Sequence, residues 1–134
     1  MFEGTTVNAG RGSEFQFQRY GAPFLDDKAF TFKYTPEANF GAKYPKHKDK
    51  LCYGEDLRND NLKNKVTLKW LIKAYNNSND KDQFFKTASF TKHSGTAKLQ
   101  QQIEQGMSEA DIIATWQDDL KAYKKMRKPY LIYK

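Results

Sequence analysis

Apolar and polar residues alternate along two stretches in the N-terminal half of the chain. The first covers residues 15–20 and the second residues 29–34, and in both the apolar positions are mostly aromatic. Because successive side chains of a strand point to opposite faces, this period of two predicts two half-buried β-strands. Pro23 and Pro36 follow the two stretches, and proline ends a strand because it lacks the N–H that a sheet ladder needs.

Two further short strands are predicted from apolar runs. Residues 51–57 form an apolar and acidic run that Gly54 interrupts, which indicates a bulge or a close approach of another backbone at that glycine. Residues 130–133 are apolar and aromatic, and we expect them to form a final strand.

The C-terminal half changes to a helical period, with apolar residues three or four positions apart. The predicted helices cover residues 67–76, residues 96–105, which Gly106 ends, and a longer stretch that begins at Ser108 and continues to Pro129. The last of these has the clearest signals, because a capping serine and acidic residues stand at its start and basic residues stand in its last turn.

These elements predict an α+β fold, in which a small, mostly antiparallel sheet from the N-terminal half is packed by about three helices from the C-terminal half. Phenylalanines between residues 84 and 90 supply more apolar surface, but that stretch is too short to assign to an element. With 134 residues, the chain is expected to form one domain.

The composition adds a strong positive charge and many aromatic residues. The net charge is +7, and Phe, Tyr and Trp make up 15% of the residues. A positive field attracts anionic partners in general, so nucleic acid, an acidic glycopolymer and a membrane surface all remain open. No apolar run reaches the about eighteen residues of a transmembrane helix, and no secretion signal is visible. The single cysteine, Cys52, excludes an internal disulfide.

Residues 2–13 are the candidate site, because they carry little side chain to bury and place one arginine between two glycines. Glycine allows positive φ, so the main chain around Gly10 and Gly12 can converge with the Arg11 guanidinium on one anion. The guanidinium can hold a carboxylate or a phosphate through two parallel hydrogen bonds. The alternative is a glycine-rich turn with a solvent-exposed arginine, and the spacing matches none of the named phosphate-binding loops.

Other site chemistry finds little support in the sequence. His47, Cys52 and His93 lack the short ligand spacings of zinc sites, and no serine stands in a nucleophile elbow, so neither a metal nor a cofactor is predicted. Glycoside hydrolysis requires two carboxyl groups that face the sugar. Glu3 is the only carboxylate in residues 2–13, which therefore carry at most half of such a site.

Several separated motifs resemble one known family. The motifs, in chain order, are residues 2–5, 10–13, 21–24, 40–48, 52–57 and several short stretches from 95 to 131. In this order they are similar to the C-terminal domain of the NamZ-like exo-β-N-acetylmuramidases, a glycoside hydrolase family once known only as a domain of unknown function. The stretch from 40 to 57 is similar to the version found in gut-type Bacteroidetes. Thr6 and Ser13 depart from the family pattern, which typically has Asn and Thr at these positions.

The resemblance implies a two-domain enzyme, in which an N-terminal Rossmann-like domain carries most of the catalytic machinery and a smaller C-terminal domain closes the cleft. Such enzymes release N-acetylmuramic acid from the non-reducing ends of peptidoglycan fragments, in cell-wall turnover and recycling. Residues 1–134 correspond to the C-terminal domain alone, so we expect this chain to be inactive without the N-terminal domain. The resemblance also implies a bacterial parent protein in the periplasm or the cell envelope.

The resemblance gives the opening residues a specific substrate. N-acetylmuramic acid carries a lactyl ether with a carboxylate, and Arg11 with the N–H groups beside it, including that of Gly12, is suited to bind this group. Glu3 and Thr5 are expected to hydrogen-bond sugar hydroxyls or to position a catalytic group of the other domain. No catalytic residue is assigned, and Glu3 is a candidate supporting carboxylate.

Two other functions fit parts of the sequence. A non-catalytic module that binds peptidoglycan or another carbohydrate could stack sugar rings on Tyr20, Phe24 or Tyr53, and it would bind glycan strands without the N-terminal domain. A nucleic-acid binder would use the positive charge and the interleaved aromatic residues, but no recognisable binding motif supports it.

Overall fold

The computed structural model describes residues 2–60 and 66–133. Its antiparallel sheet has three strands in the order β1-β3-β2, which are β1 (Arg19–Ala22), β2 (Phe32–Tyr34) and β3 (Cys52–Asp56). The helices in the described part of the chain are α1 (Lys69–Asn76), α2 (Thr87–Ser94), α3 (Lys98–Glu104), α4 (Glu109–Ala114) and α5 (Gln117–Arg127). Short 3-10 turns lie at Phe2–Gly4 and Lys128–Tyr130. The predicted α+β class is confirmed.

Glycines let the central strand β3 approach its neighbours closely. Gly54 pairs with Gly21 of β1 on one side and with Phe32 of β2 on the other. A Cβ atom on Gly54 would lie 1.7 Å from the Tyr20 carbonyl oxygen, and one on Gly21 would lie 2.7 Å from the Tyr53 carbonyl oxygen. The close backbone approach predicted at Gly54 is therefore confirmed, since no side chain fits there.

The first predicted strand is shorter than its pattern indicates. It was predicted over residues 15–20, but β1 begins only at Arg19, because the preceding residues form turns. Phe17 has a left-handed φ of 62°, and its N–H donates to the Ala9 carbonyl oxygen at 2.8 Å. A residue in that conformation cannot continue a strand, so the alternation of aromatic and polar residues here is not a β signal.

Two other strand predictions are corrected. The strand predicted over residues 29–34 is reduced to β2, because the N–H of Phe30 closes a turn by donating to the Asp26 carbonyl oxygen at 3.0 Å. The final strand predicted over residues 130–133 is wrong. Tyr130 is the last residue of the Lys128–Tyr130 turn, and residues 131–133 follow it. All four residues are exposed and belong to no sheet of the described chain.

Two of the predicted helices are confirmed and one helix was missed. The prediction over residues 67–76 corresponds to α1, and the prediction over residues 96–105 corresponds to α3. Gly106 ends α3 as predicted, with a φ of 77° and its N–H donating to a carbonyl oxygen of the last turn. The missed helix, α2, buries only Phe90, so it leaves too little apolar periodicity to be recognised.

The helix predicted from Ser108 to residue 128 is two helices, α4 and α5. Ser108 caps α4, because its Oγ accepts a hydrogen bond from the Asp111 N–H at 3.2 Å. The helix breaks at Thr115, whose hydroxyl donates to the Ile112 carbonyl oxygen at 2.8 Å. The break lets Ile112 and Trp116 pack against the core, while α5 continues with no buried residue.

The core lies between the sheet, α1 and the short helices, and the opening residues contribute to it. The Phe2 ring stacks on the Tyr20 ring with 4.5 Å between centroids, and Val7 is fully buried. The first part of residues 2–13 is therefore packed into the fold, whereas residues 10–13 form a turn in which Arg11 is exposed. In the described residues, no helix has the length and apolar character that crossing a membrane requires.

Candidate functional site

The opening segment, residues 2–13, is held between the sheet and the residues that lead into α2. Asn8 and Gly21 exchange backbone hydrogen bonds of 2.9 Å in both directions, which attaches the segment to β1. The Thr6 N–H donates to the Phe84 carbonyl oxygen at 2.9 Å on the other side. The backbone of the candidate site is thus fixed from two directions.

Lys46 ties the opening segment to the loop that precedes β3. Its Nζ donates to three backbone carbonyl oxygens, those of Phe2 at 3.2 Å, Thr5 at 2.7 Å and Val7 at 3.1 Å. An ammonium group has three N–H donors, so these contacts use its hydrogen-bonding capacity. Lys46 therefore brings positive charge to the site while its hydrogen bonds hold the main chain.

Asn8 is a second buried polar residue that fixes the same region. Its Nδ2 donates to the carbonyl oxygens of Arg11 at 3.1 Å and Lys46 at 2.7 Å, and its Oδ1 accepts from the Tyr34 hydroxyl at 3.1 Å. Burial raises the pKa of Tyr34, so this phenol remains protonated and able to donate. Asn8 positions the backbone of Arg11 relative to the loop that carries Lys46.

His47 adds a further contact from the same loop. Its Nε2 lies 2.8 Å from the Thr6 carbonyl oxygen, so this nitrogen carries a proton and donates. The ring meets Phe24 edge to face at 5.7 Å between centroids. Burial lowers the pKa of His47, and the neutral imidazole is favoured.

Around these contacts lies a pocket of about 230 Å³, called here the Arg11 pocket. Its lining residues are Glu3, Asn8, Ala9, Arg11, Tyr44, Pro45 and Lys46. The Arg11 side chain is exposed, and its Nη2 donates to the Gly41 carbonyl oxygen at 3.1 Å. A guanidinium has several other N–H donors, so Arg11 can still bind a planar anion from the pocket.

The charges around the pocket are close enough to influence one another. Burial lowers the pKa of Lys46, the positive charges of Lys86 and Arg11 lower it further, and the carboxylate of Glu3 raises it. Cations outnumber the single carboxylate in this group, so an anion that enters near Arg11 meets a favourable field.

The structure places the four predicted binding residues in different environments. Glu3 and Arg11 are exposed and line the same pocket. Thr5 is fully buried, and its hydroxyl donates to the Phe2 carbonyl oxygen at 2.8 Å. Gly12 is buried with a φ of +80°, and a Cβ there would lie 2.6 Å from the Glu37 carbonyl oxygen. Thr5 and Gly12 therefore shape the segment from inside and do not line the pocket.

Sequence reasoning missed Lys46, Asn8 and Tyr44 as residues of the site. The signal in the sequence is the stretch over residues 39–50, which is rich in lysine and can therefore border an anionic ligand. The loop has four lysines, and composition cannot tell which of them reaches the carbonyl oxygens of the opening segment. Asn8 gave no signal, because two of its three side-chain partners, Tyr34 and Lys46, are distant in sequence.

A larger cavity of about 460 Å³ is lined by residues of β2, β3 and α1. Its charged side chains pair with one another: Lys73 Nζ lies 2.5 Å from Glu55 Oε1, and Lys69 Nζ lies 2.8 Å from Asp60 Oδ2. Asp56, also in the lining, is bound by a nearby arginine whose hydrogen bonds lower the pKa of this carboxyl to about 2. These charges are compensated within the chain, so this cavity is a weaker candidate for an anionic ligand than the Arg11 pocket.

The aromatic residues considered for a carbohydrate-binding module are only partly available. Tyr20 is buried, and its hydroxyl donates to Glu55 Oε2 at 2.5 Å, so its ring cannot stack on a sugar. Phe24 is half-buried against His47. Tyr53 is also half-buried, with Lys33 Nζ 5.3 Å from its ring centroid.

Comparison with known proteins agrees with the motifs of the sequence. The family model described as "Exo-beta-N-acetylmuramidase NamZ, C-terminal" matches residues 1–133. The peptidoglycan beta-N-acetylmuramidase NamZ of Bacillus subtilis (strain 168) is 31% identical over 99% of this chain. A crystal structure of a DUF1343 family protein from Bacteroides fragilis NCTC 9343 superposes with a TM-score of 0.88 and 39% identity over 99% of this chain. The chain spans 35% of the Bacillus protein and 38% of the Bacteroides chain.

Proposed function

Because this chain belongs to the family of NamZ C-terminal domains, we propose that it completes the substrate cleft of an exo-acting β-N-acetylmuramidase. The enzyme would release N-acetylmuramic acid from the non-reducing ends of peptidoglycan fragments, during cell-wall turnover and recycling. The family assigns the chain to peptidoglycan-related glycoside hydrolysis, and the pocket chemistry supports the more specific role. The observation that carries the proposal is an exposed arginine in a cationic pocket with one carboxylate.

In this proposal Arg11 binds the lactyl carboxylate that distinguishes N-acetylmuramic acid from N-acetylglucosamine. The guanidinium is exposed and keeps donors beyond the one used on Gly41. Lys46 supports the anion through its charge, since its N–H donors are directed to backbone carbonyl oxygens. A bidentate contact with Arg11 gives direction as well as attraction, which a lone ammonium does not.

Glu3 supplies the only carboxylate in the lining of the Arg11 pocket. It can accept hydrogen bonds from sugar hydroxyls, or it can orient a catalytic group across the cleft. Glycoside hydrolysis uses a pair of carboxyl groups. The missing group is proposed to come from an N-terminal domain of the same protein, with the parent enzyme in the bacterial periplasm or cell envelope.

The test compares two proteins in the hydrolysis of a chromogenic β-N-acetylmuramide. One is this chain alone, and the other is the same chain joined to its native upstream region. Activity only in the joined protein is the expected result. Activity of this chain alone would contradict the half-site, because both carboxyl groups would then have to lie within these residues. Inactivity of both proteins would contradict the hydrolase assignment.

A carbohydrate-binding module is the second candidate, and one observation favours it. Phe40 and Tyr44 are almost completely exposed, at 105% and 91%, on the loop that borders the Arg11 pocket. Exposed aromatic rings can stack on sugar faces. Tight binding of glycan strands by this chain alone, together with an inactive joined protein, would favour the module.

A further inference from the structure

We propose that a second, apolar cavity beside the Arg11 pocket is a sugar subsite, in which Phe17 and Trp70 bind the C–H face of an N-acetylated sugar ring. The cavity has a volume of about 180 Å³. This inference rests on the proposed function, because the sugar bound in the cavity is the one whose carboxylate Arg11 binds. We call this cavity the Phe17 subsite.

The Phe17 subsite adjoins the Arg11 pocket. Glu3 and Ala9 line both cavities, while Phe17, Leu57 and Trp70 line only the apolar one of the two. Together the adjoining cavities reach the lower part of the range of about 300 to 1,000 Å³ that small-molecule sites occupy. From the Arg11 pocket to the Phe17 subsite, the order of groups is a cation, then a carboxylate, then a mainly apolar surface to which Arg19 adds a second cation.

This order matches the chemistry of one sugar ring. The lactyl carboxylate requires the cation, the hydroxyls require an acceptor such as Glu3, and the C–H groups of the ring face require an apolar wall. The lining of the Phe17 subsite is largely aromatic and aliphatic, and Trp70 in the first turn of α1 is half-buried, so its ring is anchored on the core and still partly open. An anchored aromatic ring binds an apolar face at little cost in side-chain entropy.

The conformation of Phe17 is the independent observation. Its φ is 62°, a left-handed value that is a genuine outlier for a bulky residue, and its side chain is 62% exposed. Asn or Gly would adopt this backbone with less strain. The ring is not buried in the core, so folding does not explain why an aromatic residue occupies this turn. Strained residues of this kind cluster at ligand sites.

The test is an NMR titration of this chain with N-acetylmuramic acid and with N-acetylglucosamine, since NMR measures weak binding constants. The indole N–H of Trp70 reports on the subsite, and that of Trp116, which lines a different cavity, is the internal reference. We expect both sugars to shift the Trp70 signal. Absence of a shift with either sugar, up to its solubility limit, would overturn the subsite.

The decisive variant is Phe17→Asn, with Tyr130→Asn as the control at an exposed aromatic residue outside both cavities. Phe17→Asn should raise the Kd of both sugars by the same factor, about three- to tenfold, while its melting temperature stays the same or rises. Tyr130→Asn should leave both Kd values unchanged. An unchanged Kd in Phe17→Asn would show that the ring does not bind the sugar.

Arg11→Ala separates this inference from the proposed function. It should equalise the Kd values of the two sugars, because only N-acetylmuramic acid carries the carboxylate. If Arg11→Ala equalises them and Phe17→Asn changes nothing, the subsite is wrong and the role of Arg11 stands. If Phe17→Asn weakens both sugars and Arg11→Ala changes nothing, the role of Arg11 is wrong and the subsite stands.

Discussion

Arg11 and Lys46 both bring positive charge to one pocket, but their hydrogen bonds serve different purposes. Lys46 directs its ammonium group at three backbone carbonyl oxygens, and Arg11 directs one Nη2 at the Gly41 carbonyl oxygen. The lysine is therefore a positioning residue for the opening segment, whereas the arginine keeps donors for a ligand. This difference between two cations of the same pocket makes Arg11 the residue to test.

Arg11→Ala in the two-domain enzyme is expected to remove the preference for muramides over glucosaminides. In a cleft closed by a second domain, loss of a desolvated charge pair costs about 2 to 5 kcal/mol, which lowers kcat/KM for the muramide by about thirtyfold or more. Arg11→Lys should retain part of the preference, because it keeps the charge without the planar fork. The measurement is the ratio of kcat/KM for the two chromogenic substrates.

The control for Arg11 is Arg58→Ala. The Arg58 guanidinium pairs with Asp56 at 2.6 Å and does not line the Arg11 pocket, so its removal should leave the substrate ratio unchanged. An unchanged ratio in Arg11→Ala would mean that the lactyl carboxylate is recognised elsewhere in the enzyme.

His47 makes the stability of the chain depend on pH. Burial lowers its pKa in the folded state below the unperturbed value of about 6.5. The unfolded state then binds the proton first as the pH falls. The stability that the neutral imidazole contributes is therefore present above about pH 6.5 and is lost as the pH falls through the folded-state pKa. The free energy of unfolding should decrease between about pH 7.5 and about pH 5.

His47→Asn is the variant that isolates this effect. The φ of His47 is 58°, a left-handed value that asparagine tolerates, and the asparagine side chain does not titrate. Urea unfolding at the two pH values should show a smaller decrease in the variant than in the wild-type chain. Parallel pH dependences would assign the effect to other groups.

At the scale of the element, the sheet depends on glycines that let its strands approach. Gly54→Ala would place a Cβ 1.7 Å from the Tyr20 carbonyl oxygen, in the central strand where neither neighbour can move without breaking the ladder. We expect a loss of at least about 3 kcal/mol, enough to leave much of a marginally stable domain unfolded. Circular dichroism and urea unfolding measure this loss.

Gly41→Ala is the matched control for the sheet glycine. Its Cβ would have nothing closer than 3.8 Å, and its φ is not left-handed, so the change should be within about 0.5 kcal/mol of wild type. A Gly54→Ala variant as stable as Gly41→Ala would mean that β1 and β3 are further apart than described.

Helices α4 and α5 share one apolar sequence pattern but differ in their position relative to the core. The apolar stripe from Ile112 to Tyr123 reads as one helix, but only its first part reaches the core. Ile112 is fully buried, whereas Tyr123 is 53% exposed and α5 has no buried residue. Thr115 bonds back to a carbonyl oxygen of α4, and the chain changes direction there.

At the scale of the whole molecule, we propose that this chain presents half of a site. Its Arg11 pocket contains one carboxylate, and glycoside hydrolysis uses two. The chain also spans little more than a third of the relatives that it matches. The simplest chemistry consistent with both facts is a cleft shared with another domain, which is what the comparison of the single and the joined protein tests.

Much of the fold was predictable because its signals are local. The Ser108 cap, the Gly106 end and the helical period of α1 each involve residues within a turn or two of one another, so the pattern alone is sufficient. The predictions were wrong where a local pattern was present but the tertiary structure supplied no neighbouring element to pair with it. Phe17 alternates like a strand residue but lies in a left-handed turn, and the apolar residues 130–133 have no neighbouring strand in the described chain.

The candidate site also contains some residues that were predictable from local sequence and others that were not. Arg11 between two glycines and the carboxylate of Glu3 were visible in the sequence, because glycine and arginine have properties that do not depend on the rest of the fold. The sequence by itself therefore determined the α+β class, the end of α3 at Gly106, the start of α4 at Ser108, the family and the two exposed charged residues of the pocket.

Only the tertiary structure decided which residues hold that pocket. Lys46 contacts Thr5 across 41 positions of sequence, and Asn8 contacts Lys46 across 38. Thr5 and Gly12, expected to contact the sugar, are instead buried residues of the opening segment. The physical reason is that contacts between residues distant in sequence depend on the path of the whole loop over residues 39–50. The loop contains four lysines, and their local sequences do not show which of them will bind the carbonyl oxygens of the opening segment. Among the described residues, Lys46 is the lysine that reaches all three carbonyl oxygens.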